Sequence, residues 1–191
     1  MIYINDDIQS LDLTAAMAAV GQERRDDAMR YRQDLDRRLN LAAYMLLQQA
    51  MRLEFGIERL PRFSYGPNGK PFFAEYPDIH FNLSHCREAA ACVVATQPVG
   101  IDVECVDSYD KQLLPLTMNE AEQQFILSSS HPAISFIGLW TIKESLLKLT
   151  GQGITSDLHS ILSHRDDYRF DTAINTRYIY TVCTHAKSRS I

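Results

Sequence analysis

The 191-residue sequence lacks the features of several specialised protein classes. Its four cysteines, Cys86, Cys92, Cys105 and Cys183, form no C-x-x-C pair and no metal-ligand spacing with the six histidines, which favours reduced and mostly buried thiols. No run approaches the roughly 18 unbroken apolar residues of a membrane helix. Residues 1–7 also lack the basic-then-apolar order of a signal peptide. We therefore expect a cytoplasmic protein with no membrane partner.

An excess of positive charge is also absent. The chain has 19 lysines and arginines against 24 acidic residues, a net charge of −5. No overall basic field draws such a chain to nucleic acid, so we expect no nucleic-acid partner and a local cationic patch for any anionic ligand. Its 46% hydrophobic and 23% charged residues are ordinary for a globular protein and allow one unit or two small halves.

The periodicity of apolar residues predicts a mixture of helices and strands. In the first half it predicts a strand at 1–4, one long helix over 26–54 that Gly56 ends, a tight turn at 64–73, and a hairpin of strands 79–85 and 89–96. In the second half it predicts a strand at 99–104, helices over 118–128 and 133–150, and strands at 168–170 and 178–184. Both halves thus have a helix before antiparallel strands, and 180–184 loosely repeats 91–96.

Two carboxylates lie two residues apart in the strand 99–104. Because side chains alternate along a strand, Asp102 and Glu104 share one face, while Ile101 and Val103 point toward the core. Adjacent like charges repel unless a cation joins them, and magnesium commonly takes one or two carboxylates together with water and phosphate oxygens. An ordinary exposed acidic face explains the same pair, so these residues alone leave the choice open.

The helix over 133–150 adds charged residues beside an apolar arc. Glu144 and Lys148 are one turn apart, a spacing that a routine surface ion pair also explains. Lys143 falls within the arc, where a lysine must extend outward or meet a fixed anion, because unpaired burial of its charge is costly. A carboxylate with lysines on either side suits a magnesium-bound diphosphate.

Four segments, in this order, resemble the 4′-phosphopantetheinyl transferases of the surfactin-synthetase-activating type. They are Gly69-Lys70-Pro71, Phe81-Asn82-Leu83-Ser84-His85, Gly100-Ile101-Asp102-Val103-Glu104 and Trp140-Thr141-Ile142-Lys143-Glu144-Ser145-Leu146-Leu147-Lys148, and weaker similarity extends from about residue 24 to 184. The resemblance implies an α+β fold, a pseudo-two-fold pair of α/β subdomains in one chain, here 1–97 and 98–191. Coenzyme A would lie in the cleft between them.

The resemblance also implies roles for the second-half residues. Asp102, Glu104 and Glu144 correspond to the ligands of Mg²⁺, and Lys148 to the lysine that contacts the diphosphate of coenzyme A. Lys143 matches the lysine of the family's motif and is expected to hold the metal-site helix against anions of the substrate or of the protein.

The nucleotide side of the site is implied to lie in the first half. His85 would bind a phosphate of coenzyme A, and Ser84 and Lys70 would line the nucleotide pocket, although each alone could be an ordinary strand-end or turn residue. Arg38 stands where the family places an arginine near the 3′-phosphate. Three cationic residues further upstream align ambiguously and are left out: Arg24, Arg25 and Arg30.

The implied reaction is the attack of a serine hydroxyl of an apo acyl or peptidyl carrier protein on the β-phosphorus of coenzyme A, with release of 3′,5′-ADP. Glu144 and Lys148 would act at the reacting diphosphate, and Glu120 is the best match for a base that takes the serine proton. Glu122 or a metal-bound water are alternatives for the base. We expect the enzyme to be a monomer.

Two other functions use the same residues. A magnesium-dependent hydrolase of nucleotides or diphosphates would need the same carboxylates and lysines, with water as the nucleophile. A non-catalytic relative that binds carrier proteins or coenzyme A would be expected to have lost a metal ligand, whereas all three carboxylates are present. The sequence predicts the transferase ahead of both.

Overall fold

The computed structural model describes residues 1–107, 109–153 and 157–186. The first half contains the elements β1 (Ile2–Asn5), α1 (Leu13–Ala19), α2 (Gln22–Met29), α3 (Asp34–Phe55), β2 (Ser64–Tyr65), β3 (Pro71–Phe72), β4 (His80–Cys86) and β5 (Ala89–Ala95). The second half contains β6 (Val99–Cys105), α4 (Leu114–Thr117), α5 (Glu120–Ser128), α6 (Pro132–Thr150), β7 (Tyr168–Ile174) and β8 (Tyr178–His185). This mixture confirms the predicted α+β class.

The two halves share one topology. Each has a strand, then a long helix, then a hairpin, and in each the first strand pairs antiparallel with the last, which gives the sheet orders β1-β5-β4 and β6-β8-β7. The segments 91–96 and 180–184 belong to the corresponding strands β5 and β8, so their resemblance reflects equivalent positions. The connection between β5 and β6 lies beside the predicted boundary at 97/98, but two separate subdomains stay a prediction.

The layers of the fold are helix, sheet, sheet and helix. α3 packs on one face of the first sheet through an apolar cluster that includes Leu47, Phe81 and Val94. The opposite face of that sheet packs on the second sheet, where Ala91 and Ile101 share a buried cluster. α6 then covers the outer face of the second sheet. Burial of these apolar faces, at about 25 cal/mol per Å², is the main force that holds the layers together.

The predicted continuous helix over 26–54 is wrong, because the chain breaks between α2 and α3. The Arg37 guanidinium donates to the Tyr31 carbonyl (3.0 Å) and to Asp34 (2.8 Å), which holds the non-helical turn. Asp34 also lies in the first turn of α3, where negative charge stabilises a helix N-terminus. The predicted end at Gly56 is confirmed.

The other predicted elements are confirmed, and residues 64–73 form the two-stranded hairpin of β2 and β3. Within the described ranges, no helix is long and apolar enough to cross a membrane.

A close approach of α6 to β6 positions the charged residues of both. A Cβ atom at Gly100 would lie 2.0 Å from the Ser145 carbonyl oxygen and 2.5 Å from the Leu149 nitrogen, so only glycine fits there. Asp102 and Glu104 lie on the same face of β6 as Gly100 and therefore face α6. Glycine at this position lets a helix carrying Glu144 and Lys148 reach the strand carrying the other two carboxylates.

Side chains of β4 join the two halves along the free edge of β6. The Asn82 Oδ1 atom accepts from the Ile101 amide (2.9 Å), and the Ser84 Oγ atom accepts from the Val103 amide (3.2 Å). These bonds satisfy two buried amides that the β6–β8 ladder does not use. They also fix the register of β4 beside β6.

Candidate active site

Asp102 lies at the centre of a charged cluster between the two halves. Its carboxylate is buried, with 2% of the residue exposed, and Oδ1 accepts from Lys148 Nζ at 2.6 Å and from Ser84 Oγ at 3.0 Å. Lys148 also donates to Ser84 Oγ at 2.8 Å. Strand β4 of the first half therefore meets β6 and α6 of the second half at one ion pair.

The neighbouring carboxylates lie close enough to repel one another. Burial raises the pKa of Glu104 to about 7, Asp102 adds to the rise, and the Lys148 charge and a hydrogen bond with Trp140 oppose it. Burial, and then Asp102, also raise the pKa of Glu144. Carboxyl groups of raised pKa in one cluster are typical of sites that bind a cation or transfer protons.

A hard cation fits the oxygen atoms of this cluster. Asp102 Oδ2 and Glu144 Oε1 are buried and have no hydrogen-bond partner among the described residues, an arrangement that costs free energy unless a ligand is bound. Oxygen-only ligands are the kind that Mg²⁺ prefers. However, the part of the chain that the structure describes has no group of three His, Cys, Asp or Glu side chains already close enough to hold a metal ion.

Two cavities open on either side of Lys148. One of about 360 Å³ is lined by residues of α2, α3 and β4 that include Arg24, Tyr44, Ser84 and His85. The other, of about 300 Å³, is lined by Lys70, Leu83 and Glu144 among others. Lys148 borders both, so the two cavities adjoin at this residue, and together they are called the cleft.

The first cavity has a cationic and aromatic wall. The Arg24 guanidinium lies over the Tyr44 ring, 4.4 Å from its centroid, and Phe63 lies close on the same side. His85 is exposed at this cavity, and partial loss of its hydration, followed by the Lys148 charge, lowers its pKa, while Asp36 opposes this. The sequence left Arg24 out because it aligns ambiguously with the family, and no local pattern predicts its contacts with Tyr44 and Phe63, which are distant along the chain.

Lys70 lies where the turn between β2 and β3 meets the end of α6. Its Nζ donates to the Leu149 carbonyl at 2.8 Å, and burial lowers its pKa. A cation near a helix C-terminus is stabilised by the helix dipole. Lys70 therefore connects the halves while it lines the cleft.

Lys143 does not lie in this cleft. The residue is fully buried, and its Nζ donates to Glu122 Oε2 at 2.6 Å and to the carbonyls of Thr117 (2.7 Å) and Leu158 (2.9 Å). All three ammonium hydrogens therefore have acceptors within the protein. Lys143 therefore meets an anion of the protein, one of the two arrangements expected from the sequence, while its contact with coenzyme A stays a prediction that these contacts do not favour.

The same contacts separate the two candidate bases. Glu122 pairs with Lys143 and completes a capping box by accepting from the Asn119 amide (2.8 Å), so it is not free to take a proton from a substrate. Glu120 is exposed at the first turn of α5. Arg38 donates to the Gln9 carbonyl and is not among the residues that line the two cavities at Lys148, so its contact with a ligand stays a prediction.

Comparison with known proteins identifies the family. Residues 98–189 match the 4′-phosphopantetheinyl transferase superfamily. A 4′-phosphopantetheinyl transferase of Bacillus subtilis is 30% identical over 169 residues, which cover 83% of this chain and 72% of that protein. The chain belongs to this family. The 4′-phosphopantetheinyl transferase Sfp of Bacillus subtilis strain 168 is 26% identical over 170 residues (86% of this chain, 76% of that protein), and psf-1 of Bacillus pumilus is 33% identical over 145 residues (74% and 62%).

The charged cluster is therefore the candidate active site of a phosphopantetheinyl transferase. The family match covers Asp102, Glu104, Glu144 and Lys148. The match to the Bacillus subtilis protein covers 83% of this chain, which is longer than the second half alone. The similarity therefore also extends into the first half, which carries Ser84 and His85.

Proposed function

We propose that this chain transfers the 4′-phosphopantetheine arm of coenzyme A to a serine of an apo acyl or peptidyl carrier protein. The observation that carries the proposal is the ion pair of Lys148 and Asp102 with Ser84, which lies between the two halves and at the boundary of both cavities. It combines a cation for a diphosphate with carboxylates for a metal. The family membership supports the same activity.

Magnesium would be held by Asp102, Glu104 and Glu144. The support is the unpartnered Asp102 Oδ2 and Glu144 Oε1 atoms and the raised pKa values of Glu104 and Glu144, since a divalent cation stabilises the ionised forms. When bound, magnesium supplies positive charge to diphosphate oxygens.

Coenzyme A would span the two cavities. Lys148 pairs with Asp102 and suits the diphosphate, and His85, on β4, suits a further phosphate. Arg24 is held on Tyr44 and suits an anionic group at the far end of the first cavity. Ser84 and Lys70 would line the cleft, and Arg38 stays proposed near the 3′-phosphate.

The reaction is a displacement at phosphorus. The carrier serine oxygen bonds to the β-phosphorus, the bond from that phosphorus to the oxygen bridging to the α-phosphate breaks, and 3′,5′-ADP leaves with the electron pair. The Lys148 ammonium stabilises the charge that develops on the leaving diphosphate oxygen. We propose Glu120 as the group that takes the serine proton, because it is exposed while Glu122 is engaged with Lys143. We also propose a cytoplasmic monomer.

The test is transfer to a panel of apo carrier proteins with coenzyme A and Mg²⁺, measured by the increase in carrier mass. We expect one phosphopantetheine group per carrier, and Asp102→Asn should abolish the transfer. Asp107→Asn, in the exposed segment after β6, is the matched control and should retain it. Absence of transfer to every carrier would refute the proposal. Consumption of coenzyme A without any carrier would favour the hydrolase.

A further inference from the structure

The register of β4 beside β6 brings two cysteines together. Asn82 bonds to Ile101 and Ser84 bonds to Val103, so each step of two residues along β4 matches a step of two along β6 in the same direction. The next step aligns Cys86 with Cys105, the last residues of the two strands. The pairing therefore follows from a repeated contact between the two halves.

Both thiols occupy the interface between the two sheets. Cys86 is 8% exposed and lies in the apolar cluster formed by the facing surfaces of the sheets. Cys105 packs against the same cluster and is partly exposed. Both thiols are free, and the Cys105 thiol is a close enough neighbour to contribute to the raised pKa of Cys86. No part of the proposed transfer reaction uses either of them.

We propose that Cys86 and Cys105 are a redox-active pair that a peroxide oxidises to a disulfide bond between the two halves of the chain. Cys105 is partly exposed and is the thiol that meets the oxidant. Cys86 is more deeply buried, so an oxidant in solution reaches it less easily, and it acts as the second, resolving thiol.

The chemistry balances with one peroxide molecule per disulfide. The Cys105 sulfur attacks one oxygen of hydrogen peroxide, the O–O bond breaks, and the Cys105 thiol proton leaves with the hydroxide as water, which yields a sulfenic acid. The Cys86 sulfur then attacks the Cys105 sulfur, the S–OH bond breaks, and the Cys86 proton leaves with the hydroxide as a second water. Two thiols lose two electrons and two protons, and the peroxide is reduced to two waters.

The disulfide would lock the strand ends that carry the candidate site. Ser84 and His85 immediately precede Cys86 on β4, and Asp102 and Glu104 precede Cys105 on β6. The bond closes the loop 86–105, and closing a loop of this length restricts the unfolded chain. We expect it to raise the Tm by roughly 6–12 °C.

The experiment uses the full chain, reduced and then treated with hydrogen peroxide. We expect a loss of two hydrogen atoms in the intact mass, a cross-linked peptide containing Cys86 and Cys105, and the increase in Tm. Dithiothreitol should reverse all three. Because the readouts are mass and Tm, they are independent of the transfer reaction.

Three variants complete the test. Cys105→Ser and Cys86→Ser should each abolish the cross-link and the Tm increase, whereas Cys92→Ala, at a buried cysteine in the cluster under α3, should retain both. Cys105 is only partly buried, so its variant remains informative if Cys86→Ser does not fold. Addition of oxygen without a cross-link, a disulfide between two copies through Cys105, or a cross-link without an increase in Tm would each overturn the proposal.

Discussion

Replacing Lys143 by methionine tests whether this lysine serves the fold or the substrate. The change removes the cation that contacts Glu122 at 2.6 Å and two carbonyl oxygens within 2.9 Å. The methionine side chain fills nearly the same volume, so little cavity is created. The change leaves the Glu122 carboxylate without its partner, in a side chain that is only 12% exposed.

The expected magnitude follows from that burial. Removing one partner of a buried ion pair costs about 3–5 kcal/mol, since the other charge stays buried and uncompensated. For a chain of this size, that destabilisation lowers the Tm by roughly 6–20 °C. The second variant combines Lys143→Met with Glu122→Gln. It removes the unpaired negative charge of Glu122 and keeps a side-chain acceptor for the Asn119 amide. We expect the double variant to recover about 1–2 kcal/mol.

The assay is urea denaturation followed by circular dichroism, together with a titration of coenzyme A. The single variant should lower the denaturation midpoint with an unchanged m-value, and the folded protein should bind coenzyme A as the parent does. A stability change of about 0.5 kcal/mol, the size of a surface substitution, combined with weakened coenzyme A binding would refute the reasoning. It would show that Lys143 reaches the substrate.

Three further predictions concern the cleft. Gly100→Ala should destabilise by at least about 1–3 kcal/mol, because the added Cβ lies 2.0 Å from the Ser145 carbonyl oxygen; an unchanged Tm would contradict the close approach of α6. The pKa of Glu104 in the folded state, about 7, is above the ordinary value of 4.5. Without a cation, the contribution of Glu104 to the free energy of unfolding is therefore fully present below pH 4.5 and is lost as the pH rises through 7. Mg²⁺ should therefore raise the Tm more at pH 8 than at pH 6, and equal shifts at the two pH values would count against the metal site. Arg24→Gln should weaken coenzyme A binding about tenfold, which is the effect of losing one charge-assisted hydrogen bond. Arg30→Gln, at a side chain that is 80% exposed, is the control and should not weaken binding. Equal affinities of the two variants for coenzyme A would remove Arg24 from the site.

Local patterns predicted most of the fold because they are set by neighbours along the chain. The alternation of Ile101 and Val103 with Asp102 and Glu104 correctly placed the first pair in the core and the second on the opposite face. The break between α2 and α3 was missed. It depends on the Arg37 side chain binding the Tyr31 carbonyl, and no proline or glycine marks it.

The sequence by itself determined the family, the α+β class and the set of charged residues from which the candidate site is built, because motif order and hydrophobic periodicity are properties of the chain alone. Only the tertiary structure decided where each charge lies. Lys143 and Lys148 are five residues apart on one helix, yet one is buried against Glu122 and the other borders the cleft beside Asp102. A helical side chain meets whatever its face packs against, and the packing of α6 on β6 and α5 depends on contacts distant in sequence.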